Sequence, residues 1–437
     1  MFQTIISAFK QKDLRNKILL TLGILLIYRI GCWIPVPGIE AAAFASSATG
    51  SSDFLVLLSS ITGGALSNGA LLALGVIPYI SASIIMQLLT IAIPSLERLS
   101  KAGDEGRKKI SKYTRWAALI LSIAQAVAIV IAFSSSGAIN ADALGAGVPA
   151  WMVAAVVALV LVAGAMFTLW LGEKITDLGI GNGVSLLIFV GILASAGQAI
   201  LEGIKTSIEN IDNLWPLLLF LGMVIIIFGL IVFIDLAERK IPVQYAKQIK
   251  GRKMYGGQST NIPIKVNGSG VLPLIFATAL VAFPQLIMSI FWPNSGAYLW
   301  YATYLGTGSW AFFAVTAVLI FFFTYFYAQL SFNPEEVSRS LQQNGGFIQG
   351  IRAGKPTSDY LKTISNRITF FGAFYLALIF IVPTAGFMIL QQTTGASGSL
   401  VNAFSVTGLL IVVSVALEFD KQLNSQLLMK NYRGFLK

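Results

Sequence analysis

The chain contains no histidine and a single cysteine, Cys32. Without them there is no His or multi-Cys metal cluster, no disulfide framework and no imidazole for Ser-His or Cys-His catalysis. Charge is scarce as well: 11% of the 437 residues are Asp, Glu, Lys or Arg, where a soluble domain carries roughly a quarter. With 56% hydrophobic residues, 29 Phe and 8 Trp, the chain holds more apolar surface than a solvated polypeptide can keep in water, so neither an ordinary soluble enzyme nor a disordered chain fits. Negative charge is the scarcer sign, 19 acidic residues against 30 basic, for a net of +11. In a soluble protein that balance points first to nucleic acid; in a membrane protein it reports topology.

What is present instead is a series of charge-poor apolar stretches. Ten of them, 17 to 23 residues long, can each cross a hydrocarbon core of ~30 Å at ~1.5 Å per residue. They run Ile18 to Ile34, Leu71 to Ile93, Trp116 to Phe133, Trp151 to Leu171, Val184 to Leu201, Leu214 to Ile234, Val271 to Trp292, Trp310 to Leu330, Ile368 to Leu390 and Val401 to Leu417, and are numbered here as spans 1 to 10. Backbone groups in lipid need partners within their own segment, so helices are expected, and the unbroken runs lack the alternation of a transmembrane barrel. Placing the N-terminus inside puts 28 of the 30 Lys and Arg in inside segments and one, Lys205, outside. Both termini are therefore expected in the cytoplasm. Arg29, near the outer end of span 1, is expected to snorkel. No A-x-A cleavage site follows that span, which reads as a retained helix.

Two features break the pattern. Residues 54–68 form a short apolar stretch in an outside loop; its apolar core of about thirteen residues reaches under ~20 Å, so it is interfacial, re-entrant or packed inside the bundle. Two inside loops, 237–270 and 331–367, are long, and the first alternates apolar runs with Gly251, Gly256 and Gly257, as expected of strands and turns projecting as an ordered finger. Ten spans also divide into five and five, 1–201 and 202–437. An odd number per half makes the second half enter the membrane from the opposite side, the precondition for an inverted repeat. The expected fold is an all-α integral membrane protein of ten transmembrane helices in two inverted halves, with a short re-entrant helix.

Chemistry is sparse in the spans. Ion-coupled transport calls for buried ionisable groups, and Arg29 is the one clear intramembrane charge, which argues against a solute transporter. Intramembrane proteolysis would want His ligands or paired Asp, and a lipid-acting enzyme finds no candidate nucleophile or metal site. Gly354-Lys355-Pro356 lacks both the preceding glycine and the hydroxyl residue of a P-loop. Gly179-Ile-Gly-Asn-Gly183 reads as a tight loop at a helix start, since no strand precedes it. A bundle with neither motor nor coupling site fits a passive conduit, and no cofactor is implied.

Ile34-Pro-Val-Pro-Gly38, Gly63-Gly-Ala-Leu-Ser67, Ala73-Leu-Gly-Val-Ile-Pro-Tyr-Ile-Ser-Ala-Ser83, Gly179-Ile-Gly-Asn-Gly183, Gln258-Ser-Thr260, Phe332-Asn-Pro334 and Gly350-Ile-Arg352, in register from about Lys12 to Met429, resemble the bacterial SecY family of protein-conducting channel subunits. One departure is Ala353, where the family usually has proline. The resemblance implies a plug at 54–68, with Phe54, Leu57, Leu58, Gly63, Gly64 and Leu66. It implies an aliphatic pore ring of Val76 and Ile80 on span 2, Ile188 and Ile192 on span 5, Ile275 on span 7 and Ile411 on span 10. A collar of this kind dewets when empty yet yields around an extended chain. Spans 2 and 7 then resemble the two sides of a lateral gate, with Ser81, Ser83, Gln87, Gln125, Thr278 and Phe283 along the seam and Pro78 and Pro273 expected to weaken the helices locally. Arg252, Lys253 and Arg352 match positions that dock the ribosome or a motor ATPase. The implied partners are the small subunits SecE and SecG, the motor SecA, the ribosome, signal peptides, unfolded secretory chains and membrane lipids. The implied place is the bacterial inner membrane.

Overall fold

The computed structural model describes residues 2–39, 59, 62–135, 139, 149–209, 214–245, 248–250, 253–255, 259–292, 295–306, 309–394 and 406–434. In chain order the elements are α1 (Phe2–Lys10), α2 (Lys12–Gly31), α3 (Ile77–Ala92), α4 (Pro94–Lys101), α5 (Asp104–Ser135), α6 (Ala150–Leu178), α7 (Gly183–Glu209), α8 (Leu214–Asp235), β1 (Glu238–Tyr245), β2 (Gln248–Lys250), β3 (Lys253–Tyr255), β4 (Ser259–Lys265), α9 (Leu272–Phe291), α10 (Gly296–Leu305), α11 (Trp310–Ser331), α12 (Pro334–Gln343), β5 (Gly346–Phe347), α13 (Lys355–Thr394) and α14 (Val406–Gly434).

Each of the ten expected spans falls on one of these helices. Among the described residues, the helices carrying spans 3, 4, 5, 6, 8 and 9 are long and apolar enough to cross a membrane, and α3 with α4 adds a seventh if that bent pair is one span. Spans 1, 7 and 10 fall on α2, α9 and α14.

The boundaries differ from the apolar runs for local reasons. Span 2 was expected from Leu71, but residues 71–76 form turns and α3 starts at Ile77. Gly75 there adopts φ +54°, a conformation open to glycine at no steric cost, and Pro78 sits in the first turn of α3, where its missing N–H would have had no partner. Ile93 is extended at φ −109°, ψ 111° ahead of Pro94, as the residue before a proline is driven to be, and the chain bends by 107° into α4. Pro273 likewise lies in the first turn of α9. Neither Pro78 nor Pro273 therefore weakens its helix, contrary to expectation; the prolines inside helices are Pro284 in α9 and Pro383 in α13.

The chain forms two compact units. The first comprises Met1–Ile211, Pro284–Leu299 and Ser397–Lys437. Within it α5 packs on α3 and α6, α6 on α7 and α2, and the C-terminal α14 packs on α7 and α1. One core joins Leu66 and Leu74 to Ala126, Ile129 and Val130 of α5 and to Val153, Val157 and Leu161 of α6; another joins Leu14 and Ile18 of α2 to Leu423 and Leu427 of α14. Gly164 makes the first possible, because a Cβ there would lie 2.0 Å from the Leu71 carbonyl oxygen.

The second unit comprises Asp212–Phe283 and Trp300–Ala396. Here α13 packs on α11, α8 and α12, with ring contacts such as Phe220 to Phe387 at 5.0 Å and Phe276 to Phe323 at 5.2 Å. The loop 237–270 is the expected finger. β1 and β4 pair antiparallel from Glu238 opposite Lys265 to Gln244 opposite Ser259, and β2 and β3 pair beyond them. The loop 331–367 supplies β5, which joins the other edge of β1 through Tyr245 opposite Gly346. The two loops thus make one small domain, its core formed by Ile241, Val243, Ile264, Leu341, Ile348 and Leu361.

Candidate functional site

Phe54, Leu57, Leu58 and Arg252 lie outside the described residues, and Lys253 and Phe283 are fixed only by their places in β3 and α9. The remaining candidates can be located.

The end of the 54–68 stretch is a chain of turns held to the first unit. Gly63 and Gly64 adopt φ +73° and +80°. Nη1 of Arg29 donates to the Gly63 carbonyl at 2.8 Å, and its guanidinium lies 5.7 Å from the Trp33 ring centroid. Arg29 is thus turned onto protein, whereas snorkelling was expected; a carbonyl 34 residues along the chain satisfies the charge that the polar boundary would otherwise have to hydrate. A Cβ at Gly63 would lie 2.9 Å from the Gly191 carbonyl oxygen. Gly191 sits on α7 between Ile188 and Ile192, so the turn presses backbone to backbone on the helix that carries two proposed ring residues. Leu66 is fully buried against α5 and α6, and Ser67 Oγ donates to the Gly64 carbonyl at 2.8 Å.

Five of the six ring candidates belong to the first unit. Val76, Ile188, Ile192 and Ile411 are buried there and Ile80 is half-buried. Val76 caps α3, its carbonyl accepting from Ile80 N–H at 3.0 Å, which keeps the pair one turn apart. Ile275 belongs to the second unit, half-buried in the first turn of α9.

Of the seam candidates on the first unit, Ser81 and Ser83 are half-buried and Gln87 is exposed. Gln125 Oε1 is buried with no hydrogen-bond partner among the described residues, an acceptor that a neighbouring helix could satisfy. Thr278 is buried and returns its hydroxyl to the Leu274 carbonyl at 2.9 Å. A residue the sequence did not single out, Tyr301 on α10, donates to the Val281 carbonyl of α9 at 2.6 Å, three residues ahead of Pro284; burial raises its phenol above the ordinary value.

Two motif glycine loops have structural explanations. Gly181 takes φ +91°, Asn182 Oδ1 accepts from Val184 N–H at 3.1 Å, and a Cβ at Gly183 would lie 1.9 Å from the Gly172 carbonyl oxygen. That is the tight loop at a helix start that was expected, and the Asn182 side chain caps the helix. The Arg352 loop is fixed by Gly350 and Gly354 at φ +83° and +99°, by Thr357 Oγ1 donating to the Arg352 carbonyl at 2.8 Å and by Ser338 Oγ donating to the Gly354 carbonyl at 2.7 Å. These bonds hold the loop where the family's proline is replaced by Ala353. The Arg352 side chain is exposed. In the finger, the β2–β3 register sets Lys250 opposite Lys253. Joint folding of the two loops was missed by sequence reading, because β5 is only two residues long.

The family model SecY matches residues 70–419. The protein translocase subunit SecY of Streptomyces coelicolor is 44% identical, with 98% of each chain covered. Among solved structures, one of a protein-conducting channel shares the fold at a TM-score of 0.63 and 22% identity, covering 94% of this chain and 91% of that one. Sec61 in the canine ribosome–channel complex from the endoplasmic reticulum does so at 0.60 and 21%, with the same coverage. The apolar multi-helix fold, the glycine turns at positions 63, 181 and 350 and the near full-length match agree: the chain is a multi-pass membrane protein and belongs to the SecY family.

Proposed function

We propose that this chain is the channel subunit of a bacterial protein translocase, passing unfolded secretory chains outward across the inner membrane and apolar segments sideways into lipid. The observation that carries the reading is the 44% identity to a protein translocase subunit over 98% of both chains. The chemistry of the chain is consistent with it. The aliphatic side chains of Val76, Ile80, Ile188, Ile192, Ile275 and Ile411 offer an unselective collar, which excludes ions by dewetting and contacts a passing chain without reading its sequence. The turn at Gly63 and Gly64, set against Gly191, is the fixed end of a plug formed by 54–68. Polar residues on spans 2, 3 and 7 are proposed to line a seam; interhelical hydrogen bonds of the kind such residues make are worth about 1 kcal/mol each, weak enough to yield to an entering signal-peptide helix.

Energy comes from outside the chain. The motor SecA and the ribosome are proposed to dock on the small domain built by loops 237–270 and 331–367, through Arg252, Lys253 and Arg352; the related Sec61 was solved with a ribosome. Phosphates of ribosomal RNA would make that contact salt-dependent. SecE and SecG are the proposed small partners, the two halves 1–201 and 202–437 the parts SecE clamps, and both termini face the cytoplasm, as the 28-to-1 distribution of basic residues supports.

The test is reconstitution. Vesicles holding the full chain with SecE and SecG should, on addition of SecA and ATP, carry a secretory precursor into a protease-protected space. Equal protection with and without the chain, or a substrate-driven ion flux with no precursor protection, contradicts the proposal.

A further inference from the structure

At the foot of the finger, within the second unit, a cavity of about 270 Å³ opens between the turn after β4, the end of α11 and the middle of α13. Its polar wall is made by Lys265, Ser269, Ser331, Ser365 and Thr369, and no carboxylate lines it. Glu238, opposite Lys265 in the β1–β4 register, is engaged by Lys240, whose Nζ lies 3.3 Å from its carboxylate. Lys265 has no ion pair or hydrogen bond among the described residues, and neither do the hydroxyls of those three serines and Thr369.

Three of those hydroxyls, on Ser331, Ser365 and Thr369, lie on helices; Thr369 is buried and Ser365 half-buried, while Ser331 and Lys265 reach solvent. A hydroxyl on a helix commonly returns its proton to a carbonyl one turn back, as Thr324 in the same cavity does to Ile320 at 2.6 Å. Four uncommitted hydroxyls and an ammonium around one space, with no carboxylate in its wall, make a set of donors without a charged acceptor inside the cavity. Such a set suits an oxyanion, because hydrogen bonds to a charged acceptor are roughly twice as strong as neutral ones.

Depth narrows the choice. Ser331 closes the apolar run of α11 and Ile368, also in the wall, opens the apolar run of α13, so the cavity lies where apolar span gives way to basic loop. Phospholipid phosphates occupy that level of a bilayer, and basic groups facing the cytoplasmic leaflet are drawn to anionic lipid. We propose that the cavity is a binding site for a phosphate oxyanion, carried by the headgroup of an anionic phospholipid or present as free phosphate, with Lys265 as its counter-charge and the hydroxyls of Ser365 and Thr369 among its donors. The site is separate from the pore, seam and docking residues.

The test uses the purified full chain, delipidated in detergent, with bound ligand counted by native mass spectrometry. Phosphatidylglycerol, diacylglycerol with the same acyl chains and inorganic phosphate are titrated in turn. Phosphatidylglycerol should bind and diacylglycerol should not. Lys265→Gln should weaken binding about tenfold, a loss of ~1.4 kcal/mol, and Ser365→Ala with Thr369→Val should weaken it as well. Lys362→Gln, an exposed lysine on α13 outside the cavity, should change nothing. Displacement of the lipid by millimolar inorganic phosphate supports the site with free phosphate as occupant; resistance to displacement supports it with the lipid. Thermal unfolding of each variant at the wild-type temperature confirms that the fold is intact. Binding of phosphatidylglycerol and diacylglycerol alike, or undiminished binding in both cavity variants, overturns the proposal.

Discussion

Arg352 and Arg339 lie on the same loop, and their surroundings separate them. Arg339 faces Glu335 at 3.9 Å with both side chains about three-quarters exposed, a surface pair worth at most ~1 kcal/mol. Arg352 stands on a loop pinned at both ends by left-handed glycines and by Thr357 and Ser338, so its guanidinium is presented from a fixed base. Losing a docking hot spot typically costs ~2 kcal/mol or more, so Arg352→Glu is expected to impair SecA-driven translocation severely while Arg339→Glu is tolerated; equal activity of the two at equal abundance would reduce Arg352 to a topology charge. Gly63 offers a second test. A side chain there pays ~1–2 kcal/mol for the left-handed backbone and meets the Gly191 carbonyl, so Gly63→Val should unseat the turn and raise the resting ion conductance of the channel in planar bilayers. Unchanged conductance would mean that this turn seals nothing. The glycine motifs were legible because φ and close approach act through the residue itself. The partner of Arg29 was not, since the choice between the polar boundary and the Gly63 carbonyl is decided by tertiary packing.

Helices were legible wherever an apolar run filled them, and poorly placed wherever polar chemistry set the end. α13 begins at Lys355, thirteen residues ahead of the expected span, because its first turns are amphipathic and bury Leu361 in the small domain. α1 and α10 were not expected, being shorter than a span at nine and ten residues. The start of α3 was hidden by apolar residues that make glycine turns instead of helix. Leu361 is fully buried, so Leu361→Ala should cost the small domain ~2–5 kcal/mol. Limited proteolysis should then cut within 237–270 faster than in the unaltered protein; an unchanged rate would show that the two loops fold independently. The seam has its own element-level test. Cysteines replacing Ser81 on α3 and Phe283 on α9, in a chain with Cys32 replaced, should form a disulfide that blocks translocation until reductant is added, and full activity with the bridge formed would place the exit to lipid elsewhere.

Across the whole molecule, charge carried the argument that packing could not. With the N-terminus placed inside, only Lys205 of the 30 basic residues falls in an outside segment, the bias that insertion imposes on loops however the helices pack. The two-unit division of the chain, with α14 packed on α7 and α1, was not legible, because apolar helix faces carry no sequence code for their neighbours. The ring of aliphatic residues was equally illegible, because isoleucine in a membrane helix is ordinarily packed or lipid-facing; Ile188, Ile192 and Ile411 are buried. Its meaning depends on a chain passing through. Ile192 is 3% exposed and its neighbour Leu193 is 52% exposed, so one helix offers an inward and an outward probe side by side. The decisive measurement places a photo-crosslinking amino acid at Ile192 or at Leu193 and illuminates vesicles in which a secretory precursor is stalled halfway. A protein-conducting channel lined by this ring gives precursor crosslinks from position 192 and lipid adducts from position 193; crosslinks from 193 alone, or from neither, contradict it.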